Sequence, residues 1–463
     1  MNIQSILYNL PEVRPPTEKR LPFNVKLKWT LIILVAFFIL ANIPLYGLGQ
    51  NSLVRFQQIA TILGAEFGSI ISLGIGPIVT ASIILQLLVG SGILKIDTNT
   101  PDGKRYFQGL QKIGVIFFII FESMVYVLMG GLQPLSASYT GVLIFQLILG
   151  GLAIMFMDEV TTKWGFGSGV SIFIVAGVAR TLVTGLFQFI GANGENCLAD
   201  FTGIPCSGAL LVILQSFING APKEALVAAT VILVTVGIFL LVVWAQSLKV
   251  EIPLSYDRLR GHTIKWPLAF FYASVIPVIL VAALLANIQL FGSLLENSLG
   301  GPTFIGGFSN GQPISGLAYW LGNSNLLESI IRGSLQFSQV IQAFTHLIFF
   351  MICSTVFAIF WVKTAGMDAG SQARKIIASG LQIPGFRKDE RILESILSRY
   401  VMSLTVMGGL AIGLLAALSD TLGALTSGTS ILLAVMIMYQ LYQNVAQQHA
   451  ADMHPALRKM AGE

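Results

Sequence analysis

The sequence has few charged residues, few cysteines and few histidines for its length. Only 11% of its 463 residues are charged, against about 25% in an average soluble domain. Three cysteines are too few for a disulfide-stabilised scaffold. In contrast, 54% of the residues are hydrophobic and the mean hydropathy is +0.78. This composition excludes a typical soluble domain and predicts an all-α protein that crosses a membrane many times.

Motifs for catalysis and energy coupling are also missing. The sequence contains neither a Gly-x-x-x-x-Gly-Lys-Ser/Thr phosphate loop nor a His-Glu-x-x-His metal pair, and its four histidines have no cysteine partners nearby. The stretch "GFGSG" at 165–169 has Phe166 where a nucleophile elbow needs glycine. We therefore expect no enzymatic activity, no catalytic residues, no metal site and no cofactor.

Ten segments are long and apolar enough to cross a membrane, which takes roughly 20 residues of helix. Of the 27 Lys and Arg residues, 23 fall on one side of the resulting topology; the exceptions are Arg55, Arg180, Lys223 and Arg332. This positive-inside pattern predicts that both termini are cytoplasmic, and it accounts for the net charge of +5 without a nucleic-acid site. The predicted spans are 29–48, 73–92, 110–131, 139–158, 168–190, 225–247, 267–291, 339–362, 400–419 and 429–446.

The second of these spans is interrupted. In "ISLGIGPIVTASIILQLLVGSG" (71–92), a Gly-x-Gly-Pro unit occupies Gly74 to Pro77. Proline removes a backbone donor and clashes with the preceding turn, and glycine weakens the helix further. In lipid the freed backbone groups have no water to bind, so such breaks occur only inside protein or beside an aqueous cavity. The second span is therefore expected to line an internal path.

Five spans precede the external loop 191–224 and five follow it, which divides the chain into an N-terminal half (1–190), a hinge loop and a C-terminal half (225–463). Because each half has an odd number of spans, any repeat between them is inverted. The second span of each half contains a proline, Pro77 or Pro277. Interrupted segments at corresponding positions of two halves indicate a functional path between them.

Three connecting segments are longer than a turn requires. Between the first two spans, Phe56, Ile59, Ile62 and Leu63 repeat at intervals of three and four, which predicts a half-helix that folds back into the outer side of the bundle. Two cytoplasmic loops, 247–267 and 366–400, contain clusters of Lys and Arg. Loops of this kind usually bind a partner.

Several stretches resemble the SecY family, the alpha subunit of the Sec protein-conducting channel, in its archaeal and eukaryotic branch. They cover nearly the whole chain and occur in the family's order. They are "LGIGPIVTASIILQLLVGSG" (73–92), "TPDGKRYFQGLQKIG" (100–114), "MDEVTTKWGFGSGVSIFI" (157–174), "IPVILVAALLANIQLFG" (276–292), "GFRKDERILESILSRY" (385–400) and "LTSGTSILLAVMIMYQLY" (425–442).

The resemblance implies two inverted five-helix halves around an hourglass pore that passes polypeptides. The pore is narrowed by an aliphatic ring, which matches Ile75, Val79, Val170, Ile174, Ile279 and Leu433. A plug at 54–67 closes it, with the apolar face Phe56, Ile59, Ile62 and Leu63. A lateral gate lies between helix 76–92, through Thr80, Ile83 and Leu87, and the seventh span 267–291, through Val278 and Ala282. Val275 stands where related chains often have a polar amide.

The resemblance also implies the partners. The ribosome docks on the two basic loops, where Arg258, Arg260, Arg387 and Lys388 match functional positions. Two small single-span subunits, one SecE- or gamma-like and one beta-like, complete the channel in the cell membrane. Secretory polypeptides and signal sequences pass through it, and hydrophobic segments leave sideways into the lipid bilayer. The driving energy comes from the docked partner, in keeping with the missing phosphate loop.

Some alternatives remain at this stage. A secondary transporter with an inverted repeat needs coupling charges at the membrane midplane, but only Glu122 and Arg180 are clearly charged within spans. Glu122 is interpreted as a buried acid paired with a base at a helix end, whereas Arg180 either lines an aqueous vestibule or extends outward. An intramembrane protease needs a nucleophile and base that the sequence lacks.

Cys197 and Cys206, nine residues apart in the external loop, are either bonded or free.

Overall fold

The structure is a computed structural model, and it is an all-α bundle with short strands at its edges. It describes residues 10–18, 21–51, 53, 60–61, 63–90, 92–96, 100–191, 195–201, 203–256, 263–273, 276–309, 312–378, 381–382 and 389–453. Within these ranges nine helices are long and apolar enough to span a membrane. A tenth apolar helix, α2, has only 15 residues because it begins at the Gly-Pro break.

The spanning helices are α1 (Phe23–Ala41), α3 (Pro101–Leu128), α4 (Thr140–Trp164), α5 (Gly169–Phe187), α7 (Pro222–Ser247), α8 (Ile276–Leu299), α11 (Phe337–Thr364), α13 (Glu390–Leu422) and α14 (Gly428–Met453), with α2 at Gly76–Gly90. The shorter helices are α6 (Ala209–Ile218), α9 (Gly316–Leu321), α10 (Leu326–Arg332) and α12 (Ala369–Ala378). The strands are β1 (Leu48–Asn51), β2 (Leu132–Pro134), β3 (Lys249–Tyr256), β4 (Thr263–Ala269), β5 (Gly307–Ser309), β6 (Gln312–Ser315) and β7 (Leu381–Gln382).

Two predicted spans are displaced along the chain. The first was predicted at 29–48, but α1 ends at Ala41, where the Asn42 side chain donates to the Phe38 carbonyl at 2.8 Å. The seventh was predicted at 267–291, but α8 begins at Ile276 because residues 263–269 form strand β4. The run "WPLAFF" is apolar throughout, and an apolar run does not by itself distinguish a strand from a helix.

The two basic loops contain regular structure. Strands β3 and β4 pair as an antiparallel hairpin, with Ile252 opposite Trp266, and β7 joins the outer edge of β3. The 366–400 segment is not one continuous loop, because it contains α12 and because α13 begins at Glu390. Buried side chains at intervals of four, Leu393, Leu397 and Val401, explain why the helix extends ten residues further than predicted.

The hinge loop 191–224 is also partly helical. It contains α6, and α7 starts at Pro222. Cys197 and Cys206 form a disulfide with their Cα atoms 5.3 Å apart. The amide of Gln215 donates to the carbonyls of Phe201 and Ile204 at 2.8 and 2.7 Å, and its oxygen accepts from the Cys206 N–H at 2.9 Å. The disulfide loop is therefore attached to α6.

The predicted halves meet at two seams. At one seam α2 contacts α8 and α11, and at the other α5 contacts α14.

Within each half, close approach between helices depends on small residues. In α13, for example, a Cβ on Gly413 would lie 2.6 Å from the carbonyl oxygen of Phe350 in α11. One large apolar cluster fills the interior between the seams.

The break ahead of α2 is closed by the chain that precedes it. The N–H of Ile75 donates to the carbonyl of Leu63 at 2.7 Å, and the N–H of Ala65 donates to the carbonyl of Ala60 at 2.9 Å. Gly74 has a φ of 53°, and a Cβ there would overlap Leu63 and Ala65. Glycine at position 74 thus allows residues 63–65 to lie directly against the start of α2.

We predict that Gly74→Ala destabilises the protein more than Gly92→Ala. Both glycines have positive φ, which costs an alanine roughly 1–2 kcal/mol. Only the Cβ at position 74 also collides with neighbours, because nothing lies within 4 Å of a Cβ at Gly92. The thermal midpoint of unfolding in detergent measures the difference. Equal midpoints for the two variants would contradict the tight packing of residues 63–65 on the break.

Candidate functional site

The six positions of the predicted ring lie on or next to helices at the two seams. Ile75 directly precedes α2, Val79 lies in α2, Ile279 in α8, Val170 and Ile174 in α5, and Leu433 in α14. Five of them are at most 7% exposed and belong to the same interior apolar cluster, while Val170 is half-buried against it. Aliphatic side chains from both halves of the chain therefore belong to one apolar cluster.

The residues predicted for the plug are described in part. Phe56, Ile59 and Ile62 lie outside the described residues. Leu63 is 1% exposed and packs in the apolar cluster, and its carbonyl accepts the Ile75 N–H as described above. The end of the predicted plug is thus in direct contact with a residue of the predicted ring.

Polar contacts also attach this segment to α5. Glu66 forms an ion pair with Arg180, with Oε2 and Nη1 2.7 Å apart, and the hydroxyls of Thr61 and Thr181 are 3.2 Å apart. All four residues line a cavity of about 840 Å³ bounded by α1, α5 and residues 424–426. Arg180 is 41% exposed here, so of the two interpretations of Arg180 the structure supports the vestibule.

The residues predicted for the lateral gate lie on α2 and α8, two helices that contact each other. Ile83, Val278 and Ala282 are buried, whereas Thr80 and Leu87 are half-buried. The predicted gate helix 76–92 is helical only to Gly90. Val275 lies outside the described residues.

A polar cluster joins three helices at this contact. The hydroxyl of Thr80 (α2) accepts from the Nδ2 amide of Asn287 (α8) at 3.0 Å and lies 3.2 Å from Oε1 of Glu122 (α3). Glu122 is 1% exposed, and its other oxygen has no hydrogen-bond partner among the described residues. Glu122 is buried as expected, but among the described residues its carboxyl group bonds to the Thr80 hydroxyl and to no base.

Asn287 is the residue at this contact that the sequence analysis missed. Related chains often have an amide at position 275, before α8, whereas the amide that bridges the helices lies three turns into α8. An asparagine in an otherwise apolar helix, "IPVILVAALLANIQLFG", was the available signal, since a buried amide needs a hydrogen-bond partner.

The four basic residues predicted for ribosome docking, Arg258, Arg260, Arg387 and Lys388, lie outside the described residues. The elements that flank them are described. Strands β3 and β4 flank Arg258 and Arg260, and β7 and α13 flank Arg387 and Lys388. Because β7 pairs with β3, the two loops belong to one three-stranded sheet.

Comparison with known proteins agrees with this geometry. A family model described as SecY matches residues 69–442, and one described as the plug domain of Sec61p matches residues 35–68. The protein translocase subunit SecY of Methanothermobacter thermautotrophicus is 43% identical over 458 residues, which cover 98% of this chain and 97% of the relative.

Solved structures of two channels have the same fold. One is the structure of a protein conducting channel, with a TM-score of 0.84 and 38% identity over 98% of this chain and 99% of that chain. Another is Sec61 in the canine ribosome-channel complex from the endoplasmic reticulum, with a TM-score of 0.81 and 36% identity over the same shares. The resemblance inferred from the motifs is confirmed, and the chain belongs to the SecY family.

Proposed function

We propose that this chain is the central pore-forming subunit of a protein translocation channel. It passes secretory polypeptides across the membrane and releases hydrophobic segments sideways into lipid. One observation carries the proposal: the six ring positions lie in α2, α5, α8 and α14 or directly before α2, where the two halves meet. Separation of the halves at these seams therefore opens the apolar constriction, and rejoining them closes it.

The aliphatic ring acts as the seal. A narrow constriction lined by Ile, Val and Leu excludes water and ions by dewetting, since none of these side chains replaces a hydration shell. A polypeptide differs from an ion because it brings its own apolar side chains into the constriction. The ring thus closes around a translocating chain without needing a specific sequence in it.

Residues 54–67 act as the plug. The proposal is supported by the contact of Leu63 with Ile75 and by the family match of residues 35–68 to the plug domain of Sec61p. The Glu66–Arg180 ion pair lies in the vestibule. It breaks when the pore opens, because Glu66 moves away with the plug while Arg180 remains on α5. The break at Gly74 lets the plug move without displacing α2, because the helix begins only at Gly76.

The contact of α2 with α8 acts as the lateral gate, through Thr80, Ile83, Leu87, Val278 and Ala282. Hydrophobic segments leave here because lipid favours each strongly apolar residue by roughly 0.3–0.6 kcal/mol on insertion scales. The Thr80–Asn287 hydrogen bond bridges the closed gate, and its groups are hydrated when the gate opens. The balance between these two states sets how hydrophobic a signal sequence needs to be.

The chain is passive and depends on partners. Ribosome docking through Arg258, Arg260, Arg387 and Lys388 is supported by the canine relative, whose structure is a ribosome-channel complex. Two single-span subunits, SecE-like and beta-like, accompany the chain in the cell membrane, with both of its termini in the cytoplasm. The halves 1–190 and 225–463 move relative to one another about the 191–224 segment.

The proposed ring is tested by disulfide crosslinking to a translocating chain. Single cysteines at Val79 and Leu433, in a chain whose three native cysteines are replaced, are expected to crosslink to a cysteine placed partway along a ribosome-stalled secretory chain. Both positions are buried at the ring, so the translocating segment passes within bonding distance of each. Oxidation followed by gel electrophoresis detects the product.

A cysteine at Leu233 serves as the matched control. This residue of α7 is 71% exposed on the surface of the bundle, so it faces lipid. It is expected to give no crosslink to the stalled chain. Absence of crosslinks from Val79 and Leu433, while the stalled chain remains bound to the membrane, would exclude the ring as the path and would favour a solute transporter.

The proposed gate is tested by a substitution at Asn287. Asn287→Leu is expected to raise the signal hydrophobicity that is required for translocation. The variant loses a hydrogen bond with a net value of about 0.5–1.5 kcal/mol. Full burial of a leucine is worth about 1.5–3 kcal/mol, and because position 287 is half-buried in the closed gate, the leucine gains part of this. We expect this gain to exceed the lost hydrogen bond, and it stabilises the closed gate because the site is hydrated in the open one. Translocation of precursors graded by the number of leucines in the signal measures the shift.

Asn42→Leu is the control for this variant. Asn42 is exposed at the end of α1, and among the described residues its side chain bonds only to the Phe38 carbonyl of its own helix. Its substitution is expected to leave the hydrophobicity threshold unchanged. A lower threshold in Asn287→Leu would mean that the hydrogen bond stabilises the closed gate more than apolar packing does.

A further inference from the structure

Two aspartates hold the first turns of the helices that follow them. In α4, Asp158 Oδ1 accepts from the backbone N–H of Val170 at 2.9 Å and lies 3.4 Å from the Ser168 hydroxyl. The side chain of Ser168, the residue before α5, makes no capping bond to its own helix. Gly169 permits this approach, because a Cβ there would lie 2.5 Å from the Cα of Asp158.

The second aspartate, Asp420, lies in the last turn of α13 and is 5% exposed. Its Oδ1 accepts from the backbone N–H of Thr429 at 2.7 Å, and its Oδ2 accepts from the Thr429 hydroxyl. His346 of α11 is fully buried, with Nε2 3.4 Å from Asp420 Oδ2 and Nδ1 2.6 Å from the Leu321 carbonyl oxygen. Asp420 thus connects the start of α14 to two neighbouring helices.

The two contacts correspond to each other in the two halves. Each aspartate belongs to the fourth span of its half and holds the start of the fifth. The bonded N–H groups belong to Val170 and Thr429, and the ring residues Ile174 and Leu433 each follow four positions later, one helical turn away. Counting spans from the N-terminus places the two helix starts on opposite sides of the membrane, as an inverted repeat requires.

We propose that Asp158 and Asp420 are positioning residues for the pore ring. The first N–H groups of a helix have no partner within it, and a carboxylate is favoured beside them. Because each carboxylate belongs to a different helix, it fixes where the ring helix starts, and so it fixes the height and rotation of the side chain one turn later. The inference rests on the proposed function, since it assigns the placement of that ring.

The test compares Asp→Ala with Asp→Asn at each position. Asparagine retains an oxygen that accepts the helix N–H, and alanine does not. The full-length channel complex is reconstituted in vesicles without ribosome or precursor, and iodide efflux through the resting channel is measured. Asp158→Ala and Asp420→Ala are expected to leak severalfold faster than the wild type, and both Asn variants are expected to seal. If the two aspartates only stabilise the fold, the Asp→Ala variants would have lower thermal stability but no faster iodide efflux.

Two controls separate the possible failures. Thr100→Ala removes a hydroxyl cap that α3 receives from its own preceding residue, where Thr100 accepts from the Gly103 N–H at 3.1 Å, and α3 contributes no ring residue. It is expected to remain sealed. Leu433→Ser changes the ring itself and is expected to leak. If Leu433→Ser leaks while both Asp→Ala variants stay sealed, the positioning proposal is wrong and the ring stands.

Other outcomes are equally decisive. If Leu433→Ser is itself sealed, the proposed ring is wrong. If either Asp→Ala variant fails to assemble, Asp→Glu replaces it. Glutamate retains the carboxylate and lengthens the side chain by one methylene, so it displaces the helix start and is expected to leak. An Asp→Glu variant that seals like the wild type would overturn the proposal.

Discussion

The hydrogen bond from the Ile75 N–H to the Leu63 carbonyl is the contact on which the centre of this structure depends. A Gly-Pro break in a membrane span leaves backbone groups that hydrocarbon does not satisfy, so another part of the chain has to supply partners. Here the partner is Leu63, at the end of the proposed plug. The same bond therefore makes the break tolerable and brings the proposed plug against the proposed ring, and the left-handed Gly74 gives it room.

The same constraint governs the other polar groups in the apolar interior. A buried hydroxyl, amide or carboxylate is costly without a partner. Many hydroxyls here bond to a carbonyl one turn earlier in their own helix, as Ser123 does to Ile119, but a smaller set of polar groups bonds to a different helix. Thr80 binds Asn287 and Glu122 across three helices, and Asp158 and Asp420 bind the first turns of α5 and α14. Each of these bonds lies at or next to a seam between the halves. These bonds between helices are thus found beside the seams, where the proposed function requires the helices to separate.

Errors in the predicted boundaries arose where local composition was ambiguous. Residues 267–269 are apolar and were assigned to the seventh span, but they pair with β3 as part of a hairpin. Residues 390–399 are charged and were assigned to a loop, but one face of them packs on the β3–β4 hairpin and α12, and so they extend α13 by ten residues. In both cases a contact distant in the chain decided the local structure.

The sequence by itself determined that the chain crosses the membrane about ten times, which side of the topology holds its basic residues, and to which family it belongs. These properties are readable because hydrocarbon selects apolar helices of fixed length, and because the motifs are local. Only the tertiary structure decided which amide bridges the gate, what Glu122 binds, that Arg180 pairs with Glu66, and where the ring helices are held. Each of these bonds joins residues nine or more positions apart, so its partner depends on how the helices pack and not on the neighbouring sequence.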